Sequence, residues 1–279
     1  MKNLLIFSFL IACLSTEAQY YYKDVIGTKE TGEQMKKLVA AKIQSVILTS
    51  YDADGSFTED FFVQQVVKQN PYSLKTTTRS DVTQESILIS TFDEQLRLIK
   101  TVDSTGSLVN ISTYQYDTKG NISNIKSWTV DSTNTISGLE EHEWVYKENG
   151  RIHKLLRKKN SVPADEIIFL YDEAGNLIEE QTVKNGKIQD NLYYYYNDKN
   201  LLTDIVRYNS RVRRLLPDYM FEYSPAGQVI QKITVPGNSA EYFIWRYQYD
   251  ARGLKIKEAC YNKSKDLLAR IDYKYNISQ

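Results

Sequence analysis

From position 92 onward an aromatic side chain returns at nearly fixed intervals: Phe92, Tyr116, Tyr146, Tyr171, Tyr196, Tyr223, Tyr249 and Tyr275, separated by 24 to 30 residues. A period of this size is the mark of a chain built from one repeated supersecondary unit, and it limits the fold more than any other feature here. Four residues after the ring stands Gly120, Gly150, Gly175, Gly227 or Gly253, with Asn200 in one repeat and Leu96 in another. Gly and Asn tolerate the positive φ that a tight turn demands. Two residues further on comes an apolar side chain in most repeats, among them Leu98, Ile122, Ile152, Leu177, Leu202 and Val229. Each unit therefore reads as a strand, a turn and a returning strand.

The strand leading into each ring shows which face is buried. Tyr114, Trp144, Phe169, Tyr194, Phe221, Tyr247 and Tyr273 lie two residues before it, and Leu88, Ile167, Leu192, Tyr219, Trp245 and Ile271 lie four before it. Alternation of this kind puts all of them on one face. The intervening residues, such as Thr91, Gln115, Glu222, Gln248 and Lys274, are largely polar and face water. The expected fold is all-β: consecutive antiparallel β-hairpins of about 25 residues forming a curved or rolled sheet, because so long an apolar ladder has to be enclosed or covered.

The chain before the repeats divides further. Leu4 to Leu14 is an apolar run behind Lys2, too short to span a bilayer, and it reads as a signal peptide over residues 1–18 with cleavage after Ala18. Leu10-Ile11-Ala12-Cys13 also fits a lipoprotein box, so anchoring through Cys13 is the alternative. Residues 19–85 form a cap. Met35, Leu38, Val39 and Ile43 recur at helical spacing and predict a short helix over 32–44, followed by a strand from Ser45 to Tyr51. The Thr/Ser-rich stretch 58–85 around Asn70-Pro71 is either a degenerate repeat or a long loop. Residues 86–279 carry the repeat domain.

The units Tyr116-Asp117-Thr118-Lys119-Gly120-Asn121-Ile122, Tyr171-Asp172-Glu173-Ala174-Gly175-Asn176-Leu177 and Tyr249-Asp250-Ala251-Arg252-Gly253 resemble the tyrosine-aspartate (YD) repeats of Rhs and teneurin proteins, over residues 86–275. The whole chain resembles small secreted bacterial proteins of unknown function that carry such repeats. The resemblance implies a coiling strip of hairpins with roles in surface binding, glycan contact or the enclosure of toxin domains. Asp follows the ring at Asp93, Asp117, Asp172 and Asp250, whereas Lys147, Asn197, Ser224 and Asn276 replace it elsewhere. The chain lacks the length of a toxin-enclosing shell.

Charge excludes some partners. Lys and Arg number 35, as do Asp and Glu, so nothing favours nucleic acid, and no segment after the leader is apolar enough to cross a membrane. With two His and two Cys there is little material for nucleophilic or metal chemistry, and no cofactor is expected. Cys260 reads as a small core residue. Asp52-Ala53-Asp54-Gly55 after a strand imitates the first motif of haloacid-dehalogenase-type phosphatases, and the pair could also be read as a calcium site; without a train of crossover helices, a turn accounts for the same residues. His142 occupies a core-face position, and no metal-ligand spacing relates it to His153. The cationic runs Lys154–Lys159 and Arg211–Arg214 are expected to be solvated loops, or to hold an anionic glycan or cell-wall polymer. Tyr193 and Tyr195 fall on the face opposite Tyr194 and Tyr196, either as stacking platforms for sugars or as second-layer core beneath the helix. The expectation is a non-catalytic exported module that binds a glycan or a cell-surface protein, with Tyr193, Tyr195, Arg211 and Arg213 as its candidate site. The alternatives are an assembly part that pairs edges with itself or a larger repeat protein, and a hydrolase using Asp52 and Asp54.

Overall fold

A computed structural model describes residues 20–59, 61–80, 84–209, 212–236 and 241–277. The expected leader lies outside them. Among the described residues one helix, α1 (Lys23–Ala40), precedes the strands β1 (Ile43–Asp52), β2 (Phe62–Gln69), β3 (Tyr72–Arg79), β4 (Ser86–Phe92), β5 (Leu98–Thr105), β6 (Leu108–Tyr116), β7 (Ile122–Val130), β8 (Ile136–Tyr146) and β9 (Ile152–Lys159). The second half continues with β10 (Val162–Tyr171), β11 (Leu177–Lys184), β12 (Lys187–Tyr196), β13 (Leu202–Asn209), β14 (Arg214–Tyr223), β15 (Val229–Thr234), β16 (Phe243–Tyr249), β17 (Lys255–Tyr261) and β18 (Leu267–Ile277). Every strand pairs antiparallel with its sequence neighbours, and β18 pairs with β1 from Ile43↔Ile277 to Asp52↔Ala269. The result is a closed, 18-stranded up-and-down barrel.

The repeat turns explain the sequence pattern. In the turn between β6 and β7, Asp117 N–H donates to Asn121 O at 2.8 Å and Gly120 N–H to Asp117 O at 3.0 Å, with Gly120 at φ 84°. This is a type I turn closed by a left-handed residue, and it accounts for the register shift between Gln115 and Tyr116. The Asp117 carboxylate locks the turn by accepting from Lys119 N and Asn121 N at 2.9 and 2.8 Å. Asp93, Asp172, Asn197 and Asp250 cap their turns in the same way. Lys147 cannot; there Asn149 Oδ1 takes Arg151 N at 3.1 Å instead. Leu96 accepts φ 61° in the glycine position.

The tyrosine hydroxyl has its own role. Tyr116, Tyr146, Tyr223, Tyr249 and Tyr275 donate to the carbonyls of Leu98, Ile122, Leu202, Val229 and Lys255, at 2.6 to 2.9 Å. Each bond ties a ring to the first residue of the preceding return strand, so successive repeats are stitched along one rim. Phe92, the first ring, stands beside the Asn70–Pro71 turn rather than beside a repeat turn. As a phenylalanine it has no hydroxyl to donate.

Two expectations for the N-terminal part change. The helix runs from Lys23, not from 32, and Ile43 belongs to β1. The early turns of α1 escaped the apolar pattern because they bury Thr28 and Gly32. The stretch 58–85 contains the hairpin β2–β3, in which Val63 and Val67 face the core. The Tyr51–Gly55 turn has repeat-like spacing and the repeat hydrogen bonds, Asp52 N–Ser56 O and Gly55 N–Asp52 O. Tyr51 nevertheless pairs with Arg270, near the Asn262–Asp266 turn, and so lies on the rim opposite the other anchor turns.

Helix α1 seats inside the mouth formed by the anchor turns. A Cβ on Gly32 would stand 3.0 Å from Leu96 O, and Lys37 Nζ donates to Gly253 O at 3.2 Å. Both partners are in anchor turns. The apolar core has two parts. Met35 and Leu38 pack with Val46, Leu48, Val63, Phe92, Leu98 and Ile271, while Tyr21 packs with Trp144, Leu155, Ile167, Phe169, Leu192 and Ile205. Toward the other rim the inward side chains turn polar: Ser112 Oγ meets Ser127 Oγ at 2.8 Å, Thr129 donates to Asn110 at 2.7 Å, and Arg207 is held between Asp190 and Asp218. The interior is apolar toward the anchor end and hydrogen-bonded toward the other.

Candidate functional site

Two places concentrate chemistry, one inside the barrel and one on its wall. Inside, the Glu180 side chain on β11 is 1% exposed and accepts three hydrogen bonds: Tyr21 N at 2.8 Å, Tyr22 N at 3.0 Å and Tyr194 Oη at 2.7 Å. Burial pushes its carboxyl up to about 7, against the pull of those donors. On β8, His142 bridges Asp24 Oδ2 at 2.6 Å and Glu140 Oε1 at 2.8 Å. Burial alone would lower its pKa, but the two carboxylates outweigh that and raise it to about 9. Arg157 completes the row, bonded to Glu140 and to Asp165 at 2.6 Å. These groups clamp the start of α1 to the wall. His142 faces the core as expected, and Glu140 satisfies it locally. Asp24, 118 residues away, is a partner that sequence spacing does not reveal.

The cationic run 154–159 is a strand rather than a loop. Lys154 pairs with Glu166 at 2.7 Å and Lys158 with Glu143 at 3.1 Å on the outer face, while Arg157 turns inward. Cys260 is buried, and burial pushes its thiol up to about 12, which makes it inert. Asp54 Oδ1 takes Ser56 N and Oγ at 2.9 and 2.6 Å, and Asp52 Oδ1 takes Thr58 Oγ1 at 2.9 Å, so both carboxylates hold a turn. Among the described residues no three His, Cys, Asp or Glu side chains come together as a metal site.

On the wall, alternation along β12 sends Leu192, Tyr194 and Tyr196 inward and Asn191, Tyr193 and Tyr195 outward. Tyr193 stands between Glu179 of β11 and Val206 of β13, and Tyr195 opposite Asp204. Tyr195 is 47% exposed; Tyr193 is half-buried, its hydroxyl accepting from Asn191 Nδ2 at 3.3 Å. The same amide donates to Glu179 at 2.9 Å, as does Gln181 at 3.0 Å, so polar groups flank the rings. Because α1 lies on the inner face, these tyrosines are not covered by it.

The aromatic face extends beyond the residues singled out from sequence. Tyr208 on β13, 52% exposed, pairs with Leu215 of β14, 42% exposed. Both point outward in step with Val206, a pattern carried by the return strand and not by the strand before the ring. Arg213, exposed at φ 54°, sits in the β13–β14 turn at the far end of this face, next to exposed Arg214. Arg211 lies outside the described residues. Exposed Lys184 and Lys187 flank the neighbouring β11–β12 turn on the same rim. Among the described residues none of these four cations forms a salt bridge, whereas Arg207 beneath them does. Tyr193 and Tyr195 thus lie on the wall and Arg213 at its rim, joined by Tyr208 and Leu215.

No family model matches the chain, and no curated protein matches it. Among solved structures, TcdB2-TccC3 without its hypervariable C-terminal region aligns with 76% of this chain at 15% identity and a TM-score of 0.36, and the aligned part is 12% of that chain. A porin-like protein from Bacteroides uniformis aligns with 85% of this chain and 97% of its own at 12% identity and a TM-score of 0.38. A putative outer membrane lipoprotein-sorting protein domain from Vibrio parahaemolyticus aligns at 9% identity and a TM-score of 0.16, covering 90% of this chain and 94% of its own. At these scores the likenesses say nothing of function.

Proposed function

We propose that this is a non-catalytic, exported YD-type repeat protein whose outer wall over β11–β14 binds an extended acidic polysaccharide. The observation that carries the reading is the row of outward rings Tyr193, Tyr195 and Tyr208, leading to a rim where Lys184, Lys187, Arg213 and Arg214 stand without carboxylate partners among the described residues. Rings interleaved with amides and carboxylates suit sugar faces and hydroxyls, and unpaired cations suit carboxylate or sulfate groups. The Tyr–turn-cap–Gly stitching supports the YD reading, and the apolar leader supports export.

The wall also favours a barrel that stands in water. Lys126, Glu141, Glu143, Lys154, Lys158 and Glu166 lie along the outer middle of β7–β10. A lipid-facing band would bear a cost of about 2–4 kcal/mol for each basic residue at its midplane. Self-assembly by strand addition is disfavoured, since closure leaves β1 and β18 paired on both sides.

The test is binding of the purified chain to immobilised acidic and neutral polysaccharides. Tyr195→Ala and Tyr208→Ala should each weaken binding about tenfold, the loss of one ring contact. Unaltered binding by both variants, or no binding to any polysaccharide, overturns the reading.

A further inference from the structure

The dipeptide Asn-Gly occurs twice, as Asn149–Gly150 and Asn185–Gly186, and the fold treats the two differently. In this dipeptide no side chain shields the glycine nitrogen from the asparagine carboxamide. Asn149 belongs to an anchor turn. There Gly150 N–H donates to Lys147 O at 2.9 Å, and Asn149 Oδ1 accepts from Arg151 N at 3.1 Å. Both groups that would have to react are committed to the turn.

Asn185 and Gly186 instead form the two-residue tip of the β11–β12 hairpin, with φ of 50° and 72°. Lys184 and Lys187 close that tip as a pair, and among the described residues no turn hydrogen bond is donated by Gly186. Both tip residues are exposed, and nothing lies within 4 Å of where a Cβ on Gly186 would sit. Two flanking ammonium groups favour the anionic form of the intervening amide.

The geometry points to Asn185 as a site of spontaneous covalent modification. Gly186 N, as it gives up its proton, attacks Asn185 Cγ; the new C–N bond forms, the Cγ–Nδ2 bond breaks, and Nδ2 departs with a proton as ammonia. Water then opens the resulting succinimide at one carbonyl or the other, leaving aspartate or isoaspartate. No oxidant or enzyme enters the balance. The product places a negative charge between Lys184 and Lys187, and as isoaspartate it lengthens a two-residue turn by one backbone carbon.

The experiment is peptide mapping by mass spectrometry of the full folded chain held at mildly alkaline pH, following both dipeptides in one sample and repeating the incubation in denaturant. Position 185 should convert roughly tenfold faster than 149 in the folded chain, the difference made by freeing a backbone hydrogen bond, and the gap should close in denaturant. Equal rates in the folded chain, conversion at 149 alone, or a gap of the same size in denaturant would overturn the assignment.

Discussion

Glu180 and His142 are the residues whose ionisation is written into the fold. Unfolded, Glu180 gives up its proton near 4.5; folded, it keeps it to about 7, because burial disfavours the charge. The folded chain therefore binds the extra proton, and the stability this group supplies is full below pH 4.5 and lost as pH rises through 7, a span worth about 3 kcal/mol. For His142 the corresponding limits are 6.5 and about 9, since Asp24 and Glu140 favour its cation despite burial. Its contribution is full below 6.5 and lost as pH rises through 9. Urea unfolding across this range should show that Glu180→Gln removes the fall between pH 4.5 and 7 and leaves the fall between 6.5 and 9 in place. An unchanged slope in the lower window would refute the clamp. The sequence placed His142 on the core face from its offset to Tyr146. It could not reveal Glu180 as buried, because an acidic residue in a strand reads as an outward one until a helix lies across it.

At the scale of the element, α1 was legible only in its second half. Met35 and Leu38 keep helical spacing, but the first half buries Thr28, which is not apolar, and Gly32, which is there for clearance, and neither leaves a periodic apolar signature. The two glycines of α1 make the point testable. A Cβ added at Gly27 would meet nothing within 4 Å, whereas one added at Gly32 would face the Leu96 carbonyl at 3.0 Å. Gly27→Ala should raise stability by about 1 kcal/mol through helix propensity. Gly32→Ala should lower it, because the backbone it meets cannot turn aside. Thermal melts of the two variants with equal and positive shifts would remove α1 from the mouth. The repeat turns, by contrast, were readable residue by residue. Ring, cap and glycine sit within five positions, so local hydrogen bonds fix them whatever surrounds them.

For the whole molecule the decisive contact is β1 with β18, residues separated by more than 200 positions. Closure protects the two strands that would otherwise present open edges. A chain ending at Tyr261 lacks β18 and exposes β17 and β1; static light scattering should then show association that grows with concentration, while the full chain stays monomeric. A truncated chain that remains folded and monomeric would show that closure is not what keeps the protein apart from its own copies. The candidate face belongs to this scale too. Tyr193 and Tyr195 were visible from alternation within β12, but Tyr208 and Leu215 join them only because β13 and β14 are laid alongside in register.

The sequence by itself determined the hairpin, its turn, the face its rings occupy and the all-β outcome, because each depends on residues a few positions apart. Tertiary structure alone decided that the strip closes on itself, that the Tyr51 turn sits on the far rim, that α1 fills one mouth, and that Glu180 is sealed under it. These depend on strand count, on which rim the chain has reached, and on clearance between surfaces brought together by closure. None of these quantities is carried by a local pattern of side chains.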